Sequence, residues 1–195
     1  MRQVTGRTNS PQQTKKVSIR LSLDGHSFSM PTGCDLKAVA EVEWITPYTV
    51  LVPKELFLFE EALSYLTAAG QCPPEGFSAV WSTTEQPIVA VMAVPSEALW
   101  QFEQEIEHTT PLLHIPTVLQ PTVWIADYGH LIYIKVYNPQ LQLAESVQIK
   151  SDADRRYVVE RLAERLDLQH YVLMLDDRAG QLAYYKKQFK KVICE

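Results

Sequence analysis

The sequence predicts an α/β protein in which one small lobe is built twice, each time with helices packed on a mixed sheet. Three observations predict it. Lys16 to Met30 reads KVSIRLSLDGHSFSM, two alternating apolar and polar runs about Asp24-Gly25, the strongest short-range hairpin signal. Thr122 to Asn138, TVWIADYGHLIYIKVYN, repeats the order strand, Asp, Gly, His, strand. After each hairpin the chain continues with a further strand, a helix and another strand, so the whole reads as a duplication.

The first half, taken in order, starts with a polar stretch. Met1 to Thr14 is rich in Gln, Thr and Ser and is expected to be a mobile tail, which sets the tail at 1–15, a first lobe at 16–120 and a second, smaller lobe at 121–195. Hairpin strands are expected over Val17 to Leu23 and His26 to Met30, with Pro31-Thr32-Gly33 as a break. Leu36 to Trp44 reads as a strand because Ala38, Ala40, Val42 and Trp44 share one face. Tyr48 to Val52 is a short apolar run, and Pro53 can open a helix over Lys54 to Ala69. Leu56, Phe59, Leu63 and Leu66 recur there at helical spacing, which predicts a core face. Phe77 to Ser82 and Pro87 to Val94 read as strands, the second nearly continuous in apolar residues and therefore buried on both faces. Ser96 is placed to cap a helix over Glu97 to His108, and Leu113 to Leu119 reads as a strand or extended link.

The second half opens on Val123 to Ala126, the Asp127-Tyr128-Gly129 turn and a strand from His130 to Tyr137. Gln140 to Ile149 is a third strand by its alternation. Ser151 and Asp154 form an S-x-x-D capping box for a helix over Asp152 to Leu166, with Tyr157, Val158, Leu162 and Leu166 as its apolar stripe. Tyr171 to Leu175 reads as a short buried strand, and Gln181 to Val192 as a final amphipathic segment. Trp44, Trp81, Trp100 and Trp124 lie in different elements, where packing explains them better than a base-stacking platform does.

Composition narrows the function classes. A net charge of −5 argues against nucleic acid, which needs clustered Lys and Arg. The one basic cluster, Lys186, Lys187, Lys190 and Lys191, reads as a solvated helix face. Three widely spaced cysteines give neither a disulfide framework nor a zinc site. No signal peptide or membrane-spanning run is recognised, so a cytoplasmic protein without membrane insertion is expected.

The hairpin Leu21 to Ser27, LSLDGHS, resembles the first phosphate-binding hairpin of the actin-like ATPase superfamily, and Ile125 to His130, IADYGH, resembles the second. Ile88 to Glu107 is similar to the middle of the pilus-assembly and secretion-scaffold members. Lys16 to Glu195 as a whole, through IRLSLDGHSFS, PYTVLVPKELF and the order of elements, resembles a family of uncharacterised Bacteroidetes proteins with an actin-like ATPase fold. The resemblance implies two ribonuclease-H-like lobes that clamp a nucleotide, ATP with Mg²⁺.

A strand-Asp-Gly-strand turn exposes backbone N–H groups, and Gly25 or Gly129 lets the chain approach phosphate oxygens without a Cβ. Asp24 and Asp127 would then hold Mg²⁺ through its waters, and the Ser27 hydroxyl would reach the phosphate. Against this, His26, Phe28, Tyr128, His130 and Leu131 crowd the turns, and Leu175 to Gly180, LDDRAG, stands where paired glycines would contact adenine. No residue is placed to orient an attacking water. The sequence therefore points to a non-catalytic actin-like scaffold with a protein partner, the alternative being an ATP/Mg switch or weak ATPase acting from the interlobe cleft.

Overall fold

The computed structural model describes residues 17–24, 27–28, 33, 35–82, 87–102, 105–116 and 120–195, with backbone alone at 17, 24, 27 and 28. The expected N-terminal tail, Gly25 and His26 lie outside the described residues. The first stretch holds β1 (Val17–Asp24), β2 (Ser27–Phe28), β3 (Val39–Ile45), β4 (Thr49–Pro53), α1 (Ala62–Ala68), β5 (Phe77–Trp81), β6 (Ile88–Pro95), α2 (Ser96–Leu99) and β7 (Glu107–Thr109). There follow β8 (Thr122–Asp127), β9 (Leu131–Tyr137), β10 (Leu141–Gln148), α3 (Asp152–Ala163), β11 (Val172–Asp177), α4 (Leu182–Gln188) and β12 (Lys191–Cys194).

These strands form three sheets, in the orders β2-β1-β3-β7, β10-β9-β8-β11-β12 and β4-β6-β5. Both expected hairpins form: Asp24 faces Ser27 across the β1–β2 ladder, and Asp127 faces Ile132 across β8–β9. On its other side each leading strand has a parallel neighbour, Leu21 beside Trp44 in β3 and Asp127 beside Asp177 in β11. The third sheet is an antiparallel trio inserted between β3 and β7.

Burial follows the apolar faces. Val159 and Leu162 of α3 and Tyr185 of α4 pack on Val123, Ile134 and Leu173 of the five-stranded sheet. Leu21, Val42 and Trp44 pack against Met92 and Val94 of β6, whose other face takes Ala62 and Leu66 of α1. Ile45 and Leu112 join Trp124, Leu131 and Tyr133, which ties the first sheet to the five-stranded one. Thr46, just past β3, is fully buried at this junction. Its N–H donates to the Tyr133 hydroxyl (2.8 Å), which donates back to its carbonyl (2.8 Å), while its own hydroxyl donates to the Ala93 carbonyl in β6 (3.0 Å).

Several elements differ from expectation. Leu36–Ala38 is a 3-10 turn capped by Asp35, so the third strand starts at Val39. The helix expected over Lys54 to Ala69 is mostly absent: two 3-10 turns, Lys54–Leu56 and Phe59–Glu61, precede the seven residues of α1. Leu58 between them is extended, at φ −118° and ψ 122°, which breaks the helical phase. Of the predicted stripe only Leu66 is buried, and Leu56, Phe59 and Leu63 are 65%, 62% and 47% exposed.

The helix expected over Glu97 to His108 is one turn, with Pro95 rather than Ser96 at its N-cap, and Glu107–Thr109 instead pairs parallel with β3. Leu113, where the extended link is expected to begin, closes a 3-10 turn over Pro111–Leu113, and 117–119 lie outside the described residues. The Ser151 cap forms, its hydroxyl accepting from the Asp154 N–H, but α3 stops at Ala163. Its buried residues are Arg155, Val159 and Leu162, and Tyr157 is exposed. The final helix ends at Gln188, so Lys186 and Lys187 on α4 and Lys191 on β12 share no helix face. Trp44 and Trp124 are buried as expected, whereas Trp100 is 78% exposed. Among the described residues no helix is long and apolar enough to cross a membrane.

Candidate functional site

The β8–β9 turn is the best-defined of the sequence-derived sites. Asp127 ends β8, the Tyr128 N–H closes the turn on the Leu131 carbonyl (2.9 Å), and Gly129 takes φ +87°, which favours glycine. The Asp127 carboxylate is fully buried. Its Oδ1 accepts from the Gly129 N–H (2.8 Å), and its Oδ2 accepts from Arg155 Nε (2.9 Å) and the Tyr185 hydroxyl (2.9 Å). Arg155, only 5% exposed, also donates to the Gly129 carbonyl (3.1 Å) and Asp152 (2.6 Å). Burial, and then the charge of Asp127, push the Tyr185 phenol far above its ordinary range, so it stays a donor. The result is a closed network in which the turn's carboxylate is neutralised and its glycine N–H is already donated.

Strand β1 lies against this turn. The Ser22 hydroxyl is 3.3 Å from Nε2 of exposed His130, and the Arg20 guanidinium sits 5.9 Å from the centre of the Tyr128 ring. The two hairpins therefore approach each other, Ser22 standing two residues before Asp24. Asp24 closes β1 and Ser27 opens β2, opposite each other in the ladder. Burial, followed by the charge of Glu43, raises the Tyr128 phenol to about 12. Along β1, β3 and β7 runs a polar depression of about 570 Å³, bordered by Ser18, Arg20, Glu41 and Glu43. These groups pair with one another: Ser18 donates to Glu41 (2.8 Å), and Arg20 is ion-paired with Glu43.

The LDDRAG stretch completes the surroundings. Asp177 accepts from the N–H groups of Gln181 and Leu182 (2.7 Å each) at the start of α4, and Asp176 pairs with Arg178 (2.7 Å). The Arg178 N–H donates to the Asp127 carbonyl (2.9 Å). Among the described residues no three His, Cys, Asp or Glu side chains gather to hold a metal.

A second buried charge stands elsewhere on the same sheet. Lys135, 1% exposed in β9, places its ammonium 4.2 Å from the Trp124 ring centre and donates to the carbonyls of Leu112 (3.2 Å) and His114. Burial lowers its pKa to about 7, against a small opposing pull from Glu195. Glu195 in turn accepts from the Trp124 indole N–H (2.9 Å).

Arg155, Tyr185 and Lys135 were not among the residues expected to matter. For two of them a signal was present: Arg155 shares a helical face with Val159 and Leu162, and Lys135 interrupts an apolar strand. A charge on a buried face requires a buried partner.

This arrangement, a leading strand with a hairpin on one side and parallel strands on the other, matches a solved structure of the actin-like ATPase fold. The crystal structure at 1.85 Å resolution of a Bacteroides thetaiotaomicron protein with actin-like ATPase fold and unknown function matches with a TM-score of 0.66 and 15% identity. That match covers 97% of this chain and 94% of the other, and establishes the fold. The cytoplasmic domain of EpsL, an inner membrane component of the type II secretion system of Vibrio cholerae, matches with a TM-score of 0.41 and 11% identity over 81% of this chain and 80% of that one. No protein-family model and no curated relative matches the sequence.

Proposed function

We propose that this protein is a non-catalytic, cytoplasmic interaction scaffold on a duplicated actin-like frame, with lobes at 16–120 and 121–195. The observation that carries this reading is the state of Asp127. To serve Mg²⁺, its carboxylate would have to release Arg155, and stripping the partner from a buried guanidinium costs about 3–5 kcal/mol. Gly129 cannot offer its N–H to a phosphate while that group is bound to Asp127 Oδ1.

The second reading, an ATP/Mg switch or weak ATPase, is favoured by one contact, Ser22 to His130, which brings the two turns together. In that reading Asp24, Gly25 and Ser27 supply the phosphate and Mg²⁺ contacts, with Asp127 and Gly129 opposite. Thermal unfolding with and without ATP and Mg²⁺ separates the two. The scaffold reading expects no shift up to millimolar nucleotide. Stabilisation approaching about 2.7 kcal/mol at a hundredfold excess over Kd, abolished by Asp24→Ala, would overturn it.

A further inference from the structure

The segment expected to be a buried helical stripe is instead an exposed apolar ridge. Leu56, Leu58, Phe59 and Leu63 are 65%, 55%, 62% and 47% exposed within eight consecutive residues. Clustered exposure of this kind marks interaction surfaces, whereas scattered apolar residues do not. The ridge is also held in shape. The Tyr65 hydroxyl donates to the Leu56 carbonyl (2.6 Å) and accepts from the Leu58 N–H (3.0 Å), and Phe57 packs on Tyr65 (ring centres 6.1 Å apart). Phe57 and Phe59 both contact the Trp81 ring, at 5.8 and 6.5 Å, which carries the aromatic surface onto strand β5. Beneath it, Ala62 and Leu66 anchor α1 on the three-stranded sheet. A rigid, preformed apolar surface loses little entropy on binding.

The charges around the ridge choose the partner. Glu55, Glu60 and Glu61 are all exposed beside the apolar side chains, and among the described residues none of the three forms an ion pair. An acidic rim about an apolar centre complements a partner with the opposite pattern and repels an anionic lipid surface. We propose that the ridge from Leu56 to Leu63, with Trp81, is a docking surface for a basic amphipathic helix of another protein. Its aliphatic anchors would cover Phe59 and Leu63 while its Lys and Arg side chains meet Glu55, Glu60 and Glu61. This deepens the scaffold reading by giving it a surface and a kind of partner.

The probe is an 18-residue leucine-lysine amphipathic helix, with a leucine-glutamate peptide of identical apolar face as its control, followed by fluorescence anisotropy. The leucine-lysine peptide is expected to bind in the micromolar range and the control at least tenfold more weakly. Phe59→Ser with Leu63→Ser should weaken binding at least tenfold, as should Glu60→Lys with Glu61→Lys, whereas Glu160→Lys with Glu164→Lys on α3 should leave it unchanged. All these positions are exposed, and circular dichroism confirms that each variant is folded.

Equal binding of both peptides, or undiminished affinity in the ridge variants, overturns the proposal. So does a dimer in sedimentation that Phe59→Ser with Leu63→Ser dissolves, which would put a second copy there, or binding to anionic phospholipid vesicles that the same variant abolishes. A nucleotide-dependent thermal shift with peptide binding intact would remove the scaffold reading and leave the ridge. The absence of both would leave the scaffold without this surface.

Discussion

The four-stranded and five-stranded sheets share one scheme and keep their charges in different places. In each, the leading strand has an antiparallel hairpin partner on one side and a parallel strand on the other. In the five-stranded sheet Asp127 and Lys135 are 0% and 1% exposed, and Arg155, on the helix α3 packed against it, is 5% exposed. In the four-stranded sheet, Arg20 and Glu43 keep side chains 41% and 23% exposed. The Asp127–Arg155 pair in the first setting is held by everything around it, and neither charge can be withdrawn cheaply. In the second, water replaces a lost partner. The charges are thus locked against one sheet and open to water on the other.

The largest effect should come from breaking the lock. Asp127→Ala leaves Arg155 buried without its carboxylate and is expected to cost about 3–5 kcal/mol in urea unfolding. A loss below about 1 kcal/mol would show that water already serves the guanidinium, and the contrast between the sheets would collapse.

Lys135 tests the same contrast through pH. Its folded pKa, about 7, lies below the ordinary lysine value, so the unfolded chain binds more protons between the two. The contribution of Lys135 to stability is therefore complete above about pH 10.5 and is lost as pH falls toward 7. Lys135→Met should flatten this rise in a series of thermal unfolding curves from pH 6 to 10 and raise the melting temperature at its acid end. An unchanged slope would mean that Lys135 is solvated in solution.

The smallest effect belongs to the open edge. Arg20→Ala is expected to change stability by less than about 1 kcal/mol, and by less still in molar salt. A larger loss would place Arg20 in the packing of Tyr128 rather than in a screened ion pair.

What could be read from the sequence was local. The two hairpin pairings and the Ser151 cap are fixed by neighbours a few residues apart, and both are found where expected. The misreadings arise where distant pairing outcompeted local periodicity. Glu107–Thr109 has helical neighbours in sequence but lies beside Glu41–Glu43, where the Trp44 indole N–H donates to His108 (2.9 Å). Lys191–Cys194 likewise gains a strand partner in β11. In the ridge the spacing of Leu56, Phe59 and Leu63 is helical, yet the Tyr65 hydroxyl satisfies the backbone of Leu56 and Leu58 and holds an extended residue between two tight turns. At the site, Asp127 was legible, but its partners Arg155 and Tyr185 stand 28 and 58 positions away. No local pattern reveals which residue meets a carboxylate across such a loop.

Thr46 is the point where the three sheets meet. Its N–H and carbonyl are both held by Tyr133 from the five-stranded sheet, and its hydroxyl by β6 of the third, directly after β3 of the first. One residue at the end of a strand of the first sheet is thus hydrogen-bonded to both of the others, so none of them can peel away while the others keep their hydrogen bonds there. The molecule should unfold in a single cooperative step, with the Thr46 amide among the last to exchange its hydrogen for deuterium.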